Sequence, residues 1–365
     1  MGEVRGGGVD TMFDEYDGDG GDDGHHSERR PPRRRRGWRI AIVGVLFLGL
    51  LVVGGVAGYL AFLNNTVSDN VSYEPLLPEE ETPVTTQDGT MLPVPVERPE
   101  AAGDALNYLV IGTDSRDLDV ERGRSDVIIL MHISDDRERV DLIHFPRDYF
   151  VDIPGSSRPN KINAAYSIGG APLLVETIQP LVGVPIDSVV IFNFESFKAM
   201  TDAVGGVEVN VAEASPGFPE GTMRMDGETG LEFVRERYAL SQGDISRGQR
   251  QQAFMKAVML KVLSRETLTN PARLSEVVDA ATKNLTVDEN LDMSEMRSLA
   301  FSMRGVRGND IHFETAPWTG VGSDDVAGSI VVPAQEQLLQ LTEHLQNDTM
   351  AEYTDDVSPQ TGFSN

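Results

Sequence analysis

The sequence predicts an α/β fold: a mixed central β-sheet flanked by helices on both faces, a three-layer αβα arrangement, preceded by a single transmembrane helix. Three observations carry that prediction. Beyond about residue 105, short β-branched apolar runs are interspersed with amphipathic helical patterns, as in a sheet packed between helices. Two of those runs, "VIILMHI" and "VDLIHF", are only a hairpin apart, which implies an antiparallel pair inside the sheet. Near the N-terminus, Ile40–Leu63 is 24 residues long without one charge, and about 20 suffice to cross a bilayer.

Residues 1–37 are Gly/Asp-rich and then Arg/Pro-rich, a composition that cannot bury a core and is expected to be disordered. Seven arginines lie between Arg29 and Arg39, with Trp38 at the edge of the apolar run. Positive charge on that side holds the N-terminus in the cytoplasm. The run is too long for a signal-peptide core, and no small-x-small cleavage site follows it. Residues 38–63 are therefore expected to stay as a single-pass anchor in the cell membrane, with the rest of the chain extracytoplasmic. Residues 64–102, rich in Pro, Glu and Thr, read as an extended extracellular spacer. An ordered domain is expected over 103–347 and a frayed polar tail over 348–365.

Within the domain, "NYLVIG", "DVIILMHI", "VDLIHF", "SVVIFNF" and "VEVNV" read as buried strands. "APLLVETIQPLV", "ESFKAMTDAV", "RQQAFMKAVMLKVLS", "PARLSEVVDAATKN", "MSEMRSLAFSMR" and "PAQEQLLQLTEHLQ" read as helices. Gly205-Gly206 stops one helix before the next strand. No repeat and no Gly-rich phosphate loop is present.

The chain has no cysteine and a formal charge of −27, so disulfides, thiolate chemistry and Cys-ligated zinc are excluded. The first 39 residues hold 8 basic and 9 acidic side chains, leaving 23 basic and 49 acidic, a net −26, beyond them. Such a surface repels nucleic acid.

Against that acidity, four charged clusters stand out. "GTDSR" (Gly112 to Arg116) follows the first strand, "RSD" (Arg124 to Asp126) precedes the second, and "PRD" (Pro146 to Asp148) follows the third. The fourth, "LEFVRERYALSQGDISRGQRQQAF", carries Arg235, Arg237, Arg247 and Arg250. Loops at strand ends are where functional groups sit. Asp114 and Asp126 are two carboxylates that neighbouring strands could bring together, and magnesium is held by one or two carboxylates plus substrate phosphates. Arginine forks match phosphate oxygens. Arg235 and Arg237, two apart, point to one side if the segment is extended. Asp244 can cap a helix from Ile245, putting Arg247 in a first turn that favours an anion. Gln251 lies one turn on, and Phe254 and Val258 continue its stripe. Arg250 reads as a solvated helix arginine. Together these groups suit a pyrophosphate, and a membrane-borne one, such as a polyprenyl-linked sugar, suits a tethered extracytoplasmic domain.

The ordered set "NYLVIGTDSR…GRSDVIILMHI…VDLIHFPRDYFVDIPG…KINAAYSIGG…GGVEVNV…LEFVRERYALSQGDISRGQRQQAF" resembles the extracellular domain of the LytR-CpsA-Psr (LCP) family, closely over about Ala105 to Leu263 and loosely to about Gln346. The resemblance implies a cell-wall glycopolymer ligase. Such proteins move a glycan phosphate from a polyprenyl-pyrophosphate carrier to a hydroxyl of peptidoglycan. By motif position it implies Asp114 and Asp126 as ligands of Mg²⁺ (or Mn²⁺), and Arg124, Arg147, Arg235, Arg237, Arg247 and Gln251 around the phosphates. Arg147, Arg235 and Arg237 would be catalytic, stabilising charge on the transferred and leaving groups. It also implies an apolar tunnel for the lipid tail. "HFPRD" departs from the family in carrying His144 and Phe145 where smaller or aliphatic residues are common. Asp148 is a weak candidate for the general base, and Lys161 and Asn163 are candidates to line the site. Two other classes share the residues: a polyprenyl-pyrophosphate hydrolase, and a non-catalytic protein that binds the lipid carrier.

Overall fold

A computed structural model of the chain describes residues 55–78, 84–85, 91–92, 96–113, 125–236, 238–241 and 244–355. The expected disordered tail and residues 38–54 of the expected anchor lie outside the described residues. Among the described residues no helix is long and apolar enough to cross a membrane. The chain divides into two units, 1–58 and 59–365, and the second contains everything that follows.

Its elements in chain order are the part of helix α1 (residues 55–70) from residue 59 on, strands β1 (Ser72–Glu74), β2 (Leu106–Thr113), β3 (Ser125–Ile133) and β4 (Val140–His144), and helix α2 (Ile162–Val182). Then come β5 (Ser188–Asn193), α3 (Phe194–Ala203), β6 (Val207–Val211), β7 (Gly221–Met225), α4 (Gly227–Arg235) and α5 (Asp244–Val262). The last are α6 (Pro271–Thr282), β8 (Leu285–Asp288), α7 (Met293–Ser302), β9 (Ile311–Thr315), β10 (Trp318–Asp324), β11 (Gly328–Pro333) and α8 (Gln335–Gln346). Shorter turns and bridges join them.

Seven strands form one sheet in the order β1-β8-β5-β2-β3-β4-β9. The β2–β5, β1–β8 and β4–β9 pairs are parallel, while β2–β3, β3–β4 and β5–β8 are antiparallel. The sheet is mixed, as the hairpin spacing predicts. The strand reading of "VEVNV" holds, but β6 pairs with β7 in a separate two-stranded ribbon. Its alternation of buried Val207, Val209 and Val211 with exposed Glu208 and Asn210 marks a one-sided strand rather than a central one.

Both faces of the sheet are covered, because successive side chains of a strand point opposite ways. Leu109, Ile111, Ile128 and Leu130 join a core with Leu174 and Ile178 of α2 and Leu338 and Leu341 of α8. Tyr108, Val127 and Ile129 join another with Phe197 of α3, Leu231 and Phe233 of α4, Phe254 and Val258 of α5, and Val277 of α6. The three layers follow from that division.

Two boundaries differ from expectation. The spacer reading of 64–102 is overturned where that segment is described. Asn70 donates to the Asp279 and Thr282 side chains at 3.1 and 3.0 Å, β1 pairs with β8, and the Asp288 carboxylate accepts the Leu76 and Leu77 N–H groups at 2.8 and 3.0 Å. Proline-rich composition signals extension, and extension here is spent as a sheet edge. The C-terminal tail is ordered through Asp355: Met350 and Tyr353 are buried in the first core, and Asp348 binds the His132 ring at 3.1 Å.

Candidate active site

The sheet topology collects the charged motifs at one end. β2 and β5 run together toward Thr113 and Asn193. β3 runs against β2, so Ser125 starts there, and β4 runs against β3, so His144 finishes there. The "RSD" and "PRD" motifs therefore meet at the carboxyl end of the parallel pair, where ligands of open α/β sheets bind. Thr113, just before Asp114, marks the same end. Asp114, Arg124 and Arg237 themselves lie outside the described residues.

A register shift sets the position of Asp126. Gly112 faces Val127 and Thr113 faces Ser125, so Asp126 is an extra residue on β3. Bulges of this kind re-aim a side chain at a sheet end. Gly112 permits it: a Cβ there would lie 2.8 Å from the Val127 Cβ and 2.9 Å from the Phe192 ring.

Asp126 Oδ1 accepts from Arg147 Nη1 at 2.6 Å. Arg147 Nε also lies 3.7 Å from Asp148 Oδ2, and Asp148 Oδ1 holds Lys161 Nζ at 3.0 Å. Both members of the Asp126–Arg147 pair are largely withdrawn from water, at 13% and 14% exposure. The loop that carries them is fixed by its backbone. The Asp148 carbonyl accepts the Val331 N–H at 2.8 Å, and the Arg147 carbonyl accepts the Asn163 N–H at 3.2 Å. Beneath it Tyr149 is fully buried, its hydroxyl donating to the Pro317 carbonyl at 2.6 Å. Asp148 thus serves as the partner of two cations. His144, the unexpected residue of "HFPRD", is kept neutral by burial, its imidazole pushed down to about 3.

The second set of arginines is placed differently from expectation. Arg235 is not in an extended segment. It occupies the exposed last turn of α4, a helix begun by the Asp226 side chain accepting the Thr229 N–H at 2.8 Å. Arg247 is half-buried near the start of α5, and Asp244 is that helix's first residue. Arg250 is not a solvated arginine but 4% exposed. It lies over the Phe233 ring at 4.5 Å and donates to the Glu213 carbonyl and the Ser215 hydroxyl at 2.7 and 2.9 Å. It belongs to the architecture under the site.

Gln251 borders a narrow apolar cleft of about 20 Å³, whose other walls include Val127, Phe197, Lys198, Leu231 and Phe254. Val127 directly follows Asp126 and Val234, also in the wall, directly precedes Arg235. The cleft therefore joins the "RSD" strand to the arginine helices. Its apolar lining is readable from the i, i+3 and i, i+4 spacing of Leu231/Val234 and Gln251/Phe254/Met255. Lys198 and the Phe192/Phe197 pair, 4.8 Å between ring centroids, had no motif to announce them.

Among the described residues no group of three or more His, Asp or Glu is arranged to hold a metal. Asp126 still fits a magnesium-type role in part. It is a hard oxygen donor at the sheet end, Arg147 is bound through Oδ1, and Mg²⁺ needs only one or two carboxylates beside water and phosphate.

The LytR_cpsA_psr family pattern matches residues 63–347. The chain belongs to the LytR-CpsA-Psr family. A LytR-CpsA-Psr relative, the polyisoprenyl-teichoic acid–peptidoglycan teichoic acid transferase TagU of Oceanobacillus iheyensis, is 37% identical over 216 residues, 56% of this chain and 65% of that protein. The chain thus spans just under two thirds of that relative. The protein of the same name from Enterococcus faecalis is 30% identical over 249 residues, 67% of this chain and 80% of that one. Among solved structures, B. subtilis TagV superposes with a TM-score of 0.55 at 26% identity, covering 68% of this chain and 98% of TagV. The LytR-Csp2A-Psr enzyme from Actinomyces oris shares the fold, with a TM-score of 0.54 at 23% identity over 75% of this chain and 96% of its own.

Proposed function

We propose that this LytR-CpsA-Psr protein is a membrane-anchored, extracytoplasmic phosphotransferase. It attaches a glycopolymer phosphate from a polyprenyl-pyrophosphate carrier to a hydroxyl of peptidoglycan. The observation that carries the proposal is the Asp126–Arg147 pair, held on a rigid sheet end beside an apolar cleft, in a chain whose relatives are named as teichoic acid transferases. The anchor is Ile40–Leu63, and the net charge of −26 beyond it argues against nucleic-acid partners.

In this reading an acceptor hydroxyl oxygen attacks the glycan-bearing phosphorus. The bridging P–O bond breaks, polyprenyl monophosphate leaves, and the hydroxyl proton is released to solvent. Little covalent work falls to the protein, so positioning and charge neutralisation dominate. Arg147 is held in place by Asp126 and Asp148 before substrate arrives, so little side-chain freedom is lost on binding. With Arg124, Arg235 and Arg237 it stabilises the phosphate oxygens, while Arg247 and Gln251 lie on the helix bordering the cleft. The cleft, narrow as it stands, offers the start of the lipid an apolar wall to lie against. Asp126 and Asp114 would hold Mg²⁺ or Mn²⁺, which when bound adds positive charge at the diphosphate.

The test uses the full-length protein with Mg²⁺ and a polyprenyl-pyrophosphate oligosaccharide, with and without peptidoglycan fragments. Polyprenyl monophosphate release that requires the fragments, with a glycan-phosphate adduct on them, is the expected result. Acceptor-independent release would make the protein a hydrolase, and tight lipid binding without release would make it a carrier-binding protein.

A further inference from the structure

The opposite end of the sheet carries a cavity that phosphoryl transfer does not use. It opens where β2 and β5 begin, at Leu106 and Ser188, and measures about 410 Å³, within the roughly 300–1,000 Å³ of small-molecule sites. β2 is eight residues long, so this cavity and the candidate active site are about 20 Å apart at 3.3 Å per residue.

Tyr108 and Ser188 are register partners on adjacent parallel strands and contribute to the same wall. The Ser188 Oγ is buried behind that wall without a hydrogen-bond partner, so the hydroxyls left to meet a ligand are those of Tyr108, Ser298 and Ser302. Burial first, then Asp187 and Glu295, raise the Tyr108 phenol to about 12, so it is a donor throughout the physiological range. Leu106, Leu291 and Leu299 supply apolar surface between these groups, and Asn290, Ser298 and Ser302 complete a polar rim.

The charges around the cavity cancel. Asp187 is ion-paired with Arg98 and accepts the Asn107 N–H at 2.6 Å. Arg137 donates to the Ser134 and Asp104 carbonyls, each at 2.7 Å, and Glu295 supplies the second negative charge. Two cations against two anions give a phosphate or a polyanion no net attraction. Hydroxyls, an amide and carboxylates set between leucines instead suit a ligand with C–H faces and many hydroxyls. We propose that this cavity binds a neutral saccharide of one or two rings, as a glycan subsite remote from the candidate active site. The proposal stands on the cavity itself and does not require the transfer reading.

Two neutral probes separate the sources of such a ligand. Diacetylchitobiose represents an amino-sugar wall backbone, and cellobiose a hexose polymer. Each is titrated calorimetrically into the full-length protein in the absence of any lipid carrier, beside a glycerol-phosphate oligomer as the anionic control. One of the two disaccharides is expected to bind, and its affinity should be insensitive to added salt because no charge is paired. Ser298→Trp, at an exposed rim position, is expected to weaken binding at least about tenfold by occupying the opening. Tyr108→Phe is expected to weaken it about fivefold through one lost hydrogen bond. Unchanged affinity in a folded Ser298→Trp protein would overturn the proposal. So would preference for the glycerol-phosphate oligomer, or failure of both disaccharides to bind at about 10 mM.

Discussion

Arg147 and Arg250 are both largely withdrawn from water, and their surroundings divide their duties. Arg147 faces carboxylates at the sheet end, whereas Arg250 is laid on Phe233 and bound to a carbonyl and a hydroxyl. Arg147→Ala is expected to cut polyprenyl monophosphate release by about 10²–10³-fold, as loss of one charge-stabilising donor does. It should also lower the melting midpoint, since Asp126 is left partly buried without its counter-ion. A combined Asp126→Asn/Arg147→Met protein should regain the midpoint and not the activity. For Arg250→Ala the order reverses: about 3 kcal/mol of stability should be lost in urea unfolding, with a smaller change in activity per folded molecule. Lysine should not rescue it, because a point charge cannot stack as a planar guanidinium does. Sequence placed Asp126 and Arg147 at strand ends correctly. It read Arg250 as solvated, because the rings that bury it come from residues 17 and 32 positions earlier.

Helix α4 is the element whose identity the sequence concealed. Gly227 and Gly230 suggest a turn, and glycine inside a helix costs about 1 kcal/mol relative to alanine. Here both allow close approach. A Cβ on Gly230 would overlap the Phe254 ring, and one on Gly227 would lie 2.5 Å from the Lys198 carbonyl oxygen. The helix can therefore press against α3 and α5 and close one side of the apolar cleft. Gly230→Ala is expected to destabilise by about 1–3 kcal/mol despite the better helix propensity of alanine, and to lower affinity for the lipid carrier. Denaturant unfolding and a lipid-binding titration would check the two effects. The six helical patterns read from the sequence all appear as helices, because their apolar spacing matches the side that packs, although in α7 no residue is fully buried. In α2 the Gly169-Gly170 pair hid the first half, and Gly170 does break the run, with φ 72° and ψ −158°. Strands β8 and β9 lacked any signal of their own. Their places are fixed by partners Ser188–Asn193 and Val140–His144, more than 90 residues away in sequence, and no local pattern reports such pairing.

For the molecule as a whole, acid is the condition to which the fold is sensitive. His144 is held neutral by burial, its imidazole down to about 3 from the ordinary 6.5. As pH falls through 6.5 the unfolded chain gains a proton there, and the folded chain does not until about 3. Within that window the unfolded state binds more protons, so stability falls with pH by up to about 1.4 kcal/mol per unit from this residue. Urea unfolding of the protein and of His144→Phe between about pH 7 and 4 should show a shallower acid decline in the variant.

The sheet also has an order of completion in time. Among the described residues β1, at the start of the domain, pairs only with β8, more than 200 residues later in the chain. A ribosome adding about 5–20 residues per second delivers β8 many seconds after β1. Until then β1 has no strand to pair with, and the edge of β5 that β8 will cover stands open to strangers. The edge at which the domain begins is thus closed only late, which makes early arrest of synthesis or export a moment of exposure to misassembly.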